Sequence, residues 1–406
     1  MFLTFNSEAK LITIVYNCLN IAGYKCKLCY IYICNLLKQM NTLNANKLLA
    51  AYPKFFEETL KGRRILFEDI EPLIKKLSTK FKKEILGYSE NKTPIYKISI
   101  GSGKTKILVW SQMHGNESTG TKAVFDFFNA IEKPTKGIST YIQTILENCT
   151  IAFIPILNPD GAILFIRENT AKIDLNRDAV ELKAIESSIL RKELERFNPS
   201  FCFNLHDQRS IFNVKGTSNP ATISFLAPSE DKERTLTKGR KETMSVIVAM
   251  NSILQKVIPN HIGRYTDEFY PTATGDNFQK LGYNTILIEC GHYKDDYDRD
   301  ITRKFNFMAL FQGFYFLATT TNFLNYQSYF NIPNNETLFL DKIYKNVKTP
   351  NNGLQDIGIQ YIFKYNNQKL EREEHIEKIG NLANYHTYSE IKSENLDFKQ
   401  LKLSNS

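Results

Sequence analysis

Residues 106–117 read Lys106-Ile107-Leu108-Val109-Trp110-Ser111-Gln112-Met113-His114-Gly115-Asn116-Glu117. The apolar run Ile107 to Trp110, led in by Gly101 and Gly103, has the content and length of a buried strand. His114 and Glu117 therefore follow a strand's C-terminal end, where an open α/β sheet leaves room for a ligand. Imidazole and carboxylate are ligand types that Zn²⁺ accepts, and a catalytic zinc takes three protein ligands and keeps one position open. A His and a Glu at this spacing also recur by chance, so the surrounding chain has to decide.

Working outward, apolar strands alternate with helical periodicity. Behind the His/Glu loop, Val124, Phe127, Phe128 and Ile131 recur at the spacing of an amphipathic helix. Further strands are expected at Thr93–Ser99, Thr150–Leu157, Phe201–Leu205, Thr222–Leu226 and Thr285–Ile288. Asn158-Pro159-Asp160-Gly161 reads as a turn. Helices are expected from Leu48 to about Leu77, through Leu182, Ile189 and Phe197 up to Asn198-Pro199, around Met244–Ile258, and near Phe305–Phe323. The alternation predicts an α/β fold: a mixed, mostly parallel central sheet with helices on both faces. After Asn325 the helical pattern lapses, and Tyr344, Val347, Ile357, Ile359, Tyr361 and Phe363 predict a small β-rich C-terminal appendage. The expected organisation is an extension over 1–39, a helical segment over 40–85, a catalytic domain over 86–324 and the appendage over 325–406.

A chain of 406 residues with 42% hydrophobic and 23% charged content can build one large core plus a smaller unit. The net charge of +9 comes without a dense basic block. Lys61-Gly62-Arg63-Arg64 and Lys80-Phe81-Lys82-Lys83 read as solvated faces, and no nucleic-acid partner is expected. Cys26-Lys27-Leu28-Cys29 has a metal-knuckle spacing, but Cys18 and Cys34 form no second close pair. Cys149, Cys202 and Cys290 lie in apolar runs and read as reduced core residues. The apolar stretch Leu11 to Tyr24 is broken by Asn17 and Asn20 and closes on no cleavage site, so a cytoplasmic protein is expected, with residues 1–39 either an upstream extension of a reading frame that starts at Met40 or a poorly ordered tail. Phe305 to Leu324 is uncharged but carries Asn306, Gln312 and Asn322, which predicts a core helix and no stable membrane insertion.

Other strand ends deliver chemistry too. Leu205 is followed by His206-Asp207-Gln208, and Ile288 by Glu289-Cys290-Gly291-His292. Between them lie Arg167 and Asp174-Leu175-Asn176-Arg177. Two His and a Glu make a three-ligand zinc set with an open position. A carboxylate outside the set can take a proton from zinc-bound water, and arginines can neutralise an oxyanion and clamp a carboxylate. Glu289 is the hardest of these to read as structural, because an ionised carboxylate is rarely left at the end of an apolar strand without a partner. The blander readings are a solvated Asn-Arg pair, Asp174 as a helix cap, and His261, His375 and His386 on the surface.

Taken in order, His114/Glu117, Asn158-Pro159-Asp160-Gly161, Asp174-Leu175-Asn176-Arg177, Leu205-His206 and Glu289 resemble the zinc metallocarboxypeptidases of the carboxypeptidase A/B type, over roughly residues 90–320. The resemblance implies one zinc held by His114, Glu117 and His206, a carbonyl-polarising Arg167, carboxylate recognition by Asn176 and Arg177, and a general base at Glu289. For the family's mobile active-site tyrosine, Tyr270 fits best and Tyr265 is the rival. Asp178 stands where many digestive members carry Asn, and His292 is an alternative ligand or base. The implied substrate is a peptide or amino-acid derivative with a free carboxylate. The related aspartoacylase and succinylglutamate desuccinylase branch, which deacylates amino acids, shares His-Gly-Asn-Glu, and a non-catalytic binding module is the third reading.

Overall fold

The computed structural model describes residues 43–350, 353–392 and 398. The CxxC pair, the apolar stretch from Leu11 and the expected start at Met40 lie outside the described residues.

Nine strands belong to the body of the fold: β1 (Lys82–Tyr88), β2 (Pro94–Ile100), β3 (Thr105–Ser111), β4 (Cys149–Ile154), β5 (Phe201–Asp207), the short β6 (Asn213–Val214), β7 (Ile223–Leu226), β8 (Ile262–Arg264) and β9 (Asn284–Cys290). Eight of them form one sheet in the order β1-β2-β4-β3-β5-β9-β7-β8. Its centre, β4-β3-β5-β9, is parallel, while β1, β2 and β7 join antiparallel. Alternation along the strands divides the core. Ile107, Val109, Phe201 and Phe203 face one cluster, and Leu108, Trp110 and Cys202 face another.

Nine helices are described: α1 (Ala45–Ala51), α2 (Phe67–Lys76), α3 (Thr119–Glu132), α4 (Ser139–Asn148), α5 (Pro159–Leu164), α6 (Ile185–Phe197), α7 (Lys238–Leu254), α8 (Thr274–Lys280) and α9 (Thr302–Thr319). The first core face is covered by α3, α4, α7 and α9, where Phe127 meets Phe311 and Phe314 at ring distances of 5.6 and 5.1 Å. The opposite face carries α6 and α8, with Phe278 against Trp110 at 5.5 Å. The uncharged helix expected near Phe305 is α9, buried through most of its length, and no described helix is long and apolar enough to cross a membrane.

Three local expectations are corrected. The helix expected from Leu48 to Leu77 is two helices with an irregular stretch between them. Packing overrides periodicity there: Phe55, Leu60 and Ile65 each drop into the core, and the Glu57 and Leu60 carbonyls accept from Arg303. The segment expected to be helical up to residue 85 already contains the start of edge strand β1, whose burial pattern is too weak to read. Asn158-Pro159-Asp160-Gly161 opens α5 instead of forming a bare turn. Asn158 accepts from the Gly161 N–H at 2.8 Å and Pro159 occupies the first turn, where its missing donor costs nothing.

Beyond α9, β10 (Asn335–Glu336) pairs with β6 of the body. A second sheet follows from β11 (Lys342–Thr349), β12 (Gly353–Asn366), β13 (Lys369–Gly380) and β14 (Glu390–Lys392), in the order β13-β12-β11-β14. The β-rich C-terminal sheet read from the sequence is present.

Candidate metal centre

The metal loop leaves β3 at Gln112, which holds a left-handed φ of 50°. Its side chain is tied down twice, donating to the Ile65 and Gly115 carbonyls at 2.8 and 3.1 Å. Gly115 is required by close approach, since a Cβ there would stand 2.0 Å from the Gly161 carbonyl carbon at the start of α5. From below, Asn158 donates to the Met113 carbonyl at 3.2 Å. His114 and Glu117 are thus presented by a loop braced at both ends, and α3 begins two residues later.

His206 arrives from β5 and is the register partner of Glu289 on parallel β9, so the two side chains leave the sheet on the same face. Glu117 reaches both imidazoles, Oε1 to His114 Nδ1 at 2.9 Å and Oε2 to His206 Nδ1 at 2.8 Å. The two Nδ1 atoms stand 3.2 Å apart. Both histidines are 1% exposed. Three donor atoms that all want a cation or a proton have been brought to one point. His114 Nε2 lies 3.1 Å from Asp174, which leaves Nδ1 free to coordinate, and His206 Nε2 has no partner among the described residues. By donor type and convergence these residues fit a zinc ion with an open position.

The electrostatics agree with that reading. Burial opposes charge on Glu117, but His114 and His206 hold its carboxyl well below the usual range. Burial pushes His114 down, and Glu117 and Asp174 outweigh it and raise the ring. Burial lowers His206 despite Glu117. Glu289 goes the other way: burial first, then the Glu117 and Asp207 carboxylates, push it well above an ordinary glutamate.

The remaining predicted residues fall as follows. Arg167 donates from Nε to Asp174 at 2.9 Å and brings Nη1 within 3.2 Å of His114 Nδ1, with its side chain 40% exposed toward solvent. Asn176 accepts from the Thr274 N–H at 3.0 Å, which ties it to the start of α8. Arg177 is exposed and donates to the Asn176 carbonyl. Tyr270 is 49% exposed and its hydroxyl donates to Glu268 at 3.3 Å. Its rival Tyr265 is raised by burial and then by Glu289 and Glu117, so its hydroxyl lies in the field of both site carboxylates. His292 is packed between Tyr297 and Phe339, at ring distances of 4.8 and 5.8 Å, and is not in the donor group. Asp174 does more than cap. It accepts from the Asn176 N–H and from Arg167 while holding His114, a role no local spacing announces.

A model of the family described as zinc carboxypeptidase matches residues 69–247. Over residues 69–247 the chain is similar to that family. The resemblance drawn from the motifs is therefore the family that is found. The probable carboxypeptidase 2 of Arthroderma benhamiae is 29% identical over 104 residues, 25% of this chain and 19% of that protein. Carboxypeptidase 2 of Trichophyton tonsurans is 28% identical over the same length. The chain spans about a fifth of the length of these curated relatives, the 19% just given. The solved carboxypeptidase A of Helicoverpa armigera shares the fold, with a TM-score of 0.50 at 15% identity over 68% of this chain and 80% of that one. The zinc carboxypeptidase match runs from β1 through β7 and stops before β8, β9 and Glu289, but it contains all three candidate ligands.

Proposed function

We propose that the chain is a zinc-dependent hydrolase of the carboxypeptidase type, with one zinc per chain held by His114, Glu117 and His206, cleaving the amide bond next to a free carboxylate. The observation that carries this reading is the meeting of three acceptor atoms from two strand ends beside a proton-avid Glu289. A zinc ion in that position supplies Lewis acidity and makes water a nucleophile near neutral pH.

The chain's own residues supply the rest. Glu289, raised by burial and by its carboxylate neighbours, is suited to accept the proton of the attacking water and return it to the leaving amine. Arg167, oriented by Asp174, presents its guanidinium to the oxygen of the scissile carbonyl. Asn176 and Arg177 hold the terminal carboxylate, so that only the last amide bond reaches the centre. Between the tyrosines, the field that reaches the Tyr265 hydroxyl supports it as the residue that meets the substrate, and the exposure of Tyr270 suits one that swings.

The test compares peptides with free and amidated C-termini, beside N-acetyl and N-succinyl amino acids. Free peptides should be cut and amides ignored. Arg177→Ala should lose kcat/KM on free peptides, with zinc retained. Equal cleavage of free and amidated peptides by the wild type would remove the carboxylate clamp, and turnover of the acyl amino acids alone would assign the deacylase chemistry.

A further inference from the structure

The loop between α1 and α2 that carries Lys61-Gly62-Arg63-Arg64 is not the solvated face its composition suggests. Its backbone grips the metal loop on both sides. The Arg63 carbonyl accepts from Ser118 Oγ at 2.6 Å, next to Glu117, and the Ile65 carbonyl accepts from Gln112, two residues before His114. The two arginine side chains point the other way, into the C-terminal sheet. The Arg63 guanidinium lies over the Phe363 ring at 4.6 Å and Arg64 over Tyr365 at 3.9 Å. Phe363 and Tyr365 alternate on β12 and so share one face of the hairpin, with Tyr361, which meets Tyr297 of the body at 5.1 Å. Arg64 also donates to the Ile163 carbonyl at 2.7 Å, and Arg63 to the Tyr297 carbonyl at 3.2 Å.

A second set of contacts reaches the other ligand-bearing segment. Three and four residues after His206, Arg209 pairs with Glu377 on β13, and the Ser210 hydroxyl is within donating distance of Asp341 at 2.7 Å and of Gln360 Oε1 on β12 at 3.0 Å. The β12–β13 sheet therefore holds both the His114/Glu117 loop, through residues 63–65, and the chain leaving His206, through residues 209–210.

We infer that the C-terminal sheet is a brace for the metal centre, and that Phe363 and Tyr365 are positioning residues which, through Arg63 and Arg64, set the geometry of His114 and Glu117 relative to His206. The inference rests on the zinc reading given above. Partners bonded directly to metal ligands change metal affinity by about 10- to 100-fold when removed, and Phe363 and Tyr365 act through further contacts, so the bottom of that range is their ceiling. A ring under a guanidinium is the replaceable link here, because leucine keeps the apolar bulk and loses the face that attracts the cation.

The experiment is a zinc competition titration against a chromogenic chelator, on the full chain, well below its melting temperature. Phe363→Leu/Tyr365→Leu should bind zinc more weakly than wild type, by a factor of up to about 10. Phe363→Tyr/Tyr365→Phe, which keeps both rings, should bind like wild type. Equal affinity in the leucine variant would overturn the brace and leave the zinc reading standing, whereas a wild type that binds no zinc at all would overturn the zinc reading itself. A purely structural role would lower the melting temperature of the leucine variant without moving its zinc affinity. Should that variant fail to fold, Arg64→Gln breaks the same link from the body's side and is read by the same two outcomes.

Discussion

Two buried ionic clusters in this molecule look alike in composition and differ in what they leave unfinished. In the first, Asp126 of α3 accepts from Arg303 of α9, from the Tyr52 hydroxyl at 2.7 Å and from the Glu57 N–H at 2.8 Å. Arg303 uses its other N–H groups on the Leu60 and Glu57 carbonyls and lies over the Phe56 ring at 4.0 Å. Charge and hydrogen bonds close on themselves, and the cluster pins the irregular 52–60 stretch to two core helices. In the second, Glu117, His114 and His206 turn acceptor atoms toward one another, and His206 Nε2 has no partner among the described residues. A self-satisfied cluster is mechanical, while a buried one that converges acceptors on a point is arranged for something that arrives.

Breaking each cluster separates the two roles, and the largest effect belongs to the closed one. Asp126→Ala leaves the Arg303 guanidinium buried without its counter-charge and should cost about 3–5 kcal/mol of stability in chemical denaturation. Zinc affinity of the folded variant should be unchanged. His206→Ala should do the reverse, giving a folded protein that loses most of its metal on dialysis. Full zinc occupancy by elemental analysis would take His206 out of the ligand set.

A smaller effect is expected from Glu289→Gln, which keeps the shape of the site and removes its proton acceptor. Activity should fall by at least about a hundredfold, the lower end for lost general-base catalysis and roughly 2.7 kcal/mol, with normal metal content. Retained activity would end the role given to Glu289.

The smallest effect comes from a carboxyl that belongs to neither cluster. Burial raises Asp276 to about 6, against the help of the Tyr270 N–H and the Arg177 charge. Because its folded value lies above the unfolded one, the native state binds more protons between the two, so stability falls as pH rises from about 4 to 6 and stays lower above that. Asp276→Asn should therefore stabilise the protein by about 2 kcal/mol at pH 8 and do almost nothing near pH 4, as read from denaturation midpoints at the two pH values. A gain of equal size at both would show that packing, and not titration, is responsible.

Much of the body was legible because its signals are local. The β3, β5 and β9 strands are apolar runs with a polar residue at the end, and that pattern survives any detail of packing. The amphipathic spacing around Phe127 and Phe128 likewise located α3. Edge strand β1 escaped because an edge exposes one face and half of the other, so its alternation is faint. The stretch 52–66 escaped because its apolar residues are spaced like a helix while its carbonyls are needed elsewhere.

What the sequence determined by itself was which residue types stand at strand ends: two His and a Glu of the kinds that zinc accepts, and a further Glu apart from them. Each is a property of residue type and of position along one strand. Only the tertiary structure separated the two tyrosines, burying most of Tyr265 and leaving Tyr270 49% exposed, a difference that composition does not carry. It also decided that Asp174 orients His114 and that the Arg63-Arg64 run turns inward to the C-terminal sheet. These are meetings between segments far apart in the chain, and their geometry is set by packing that no local pattern records.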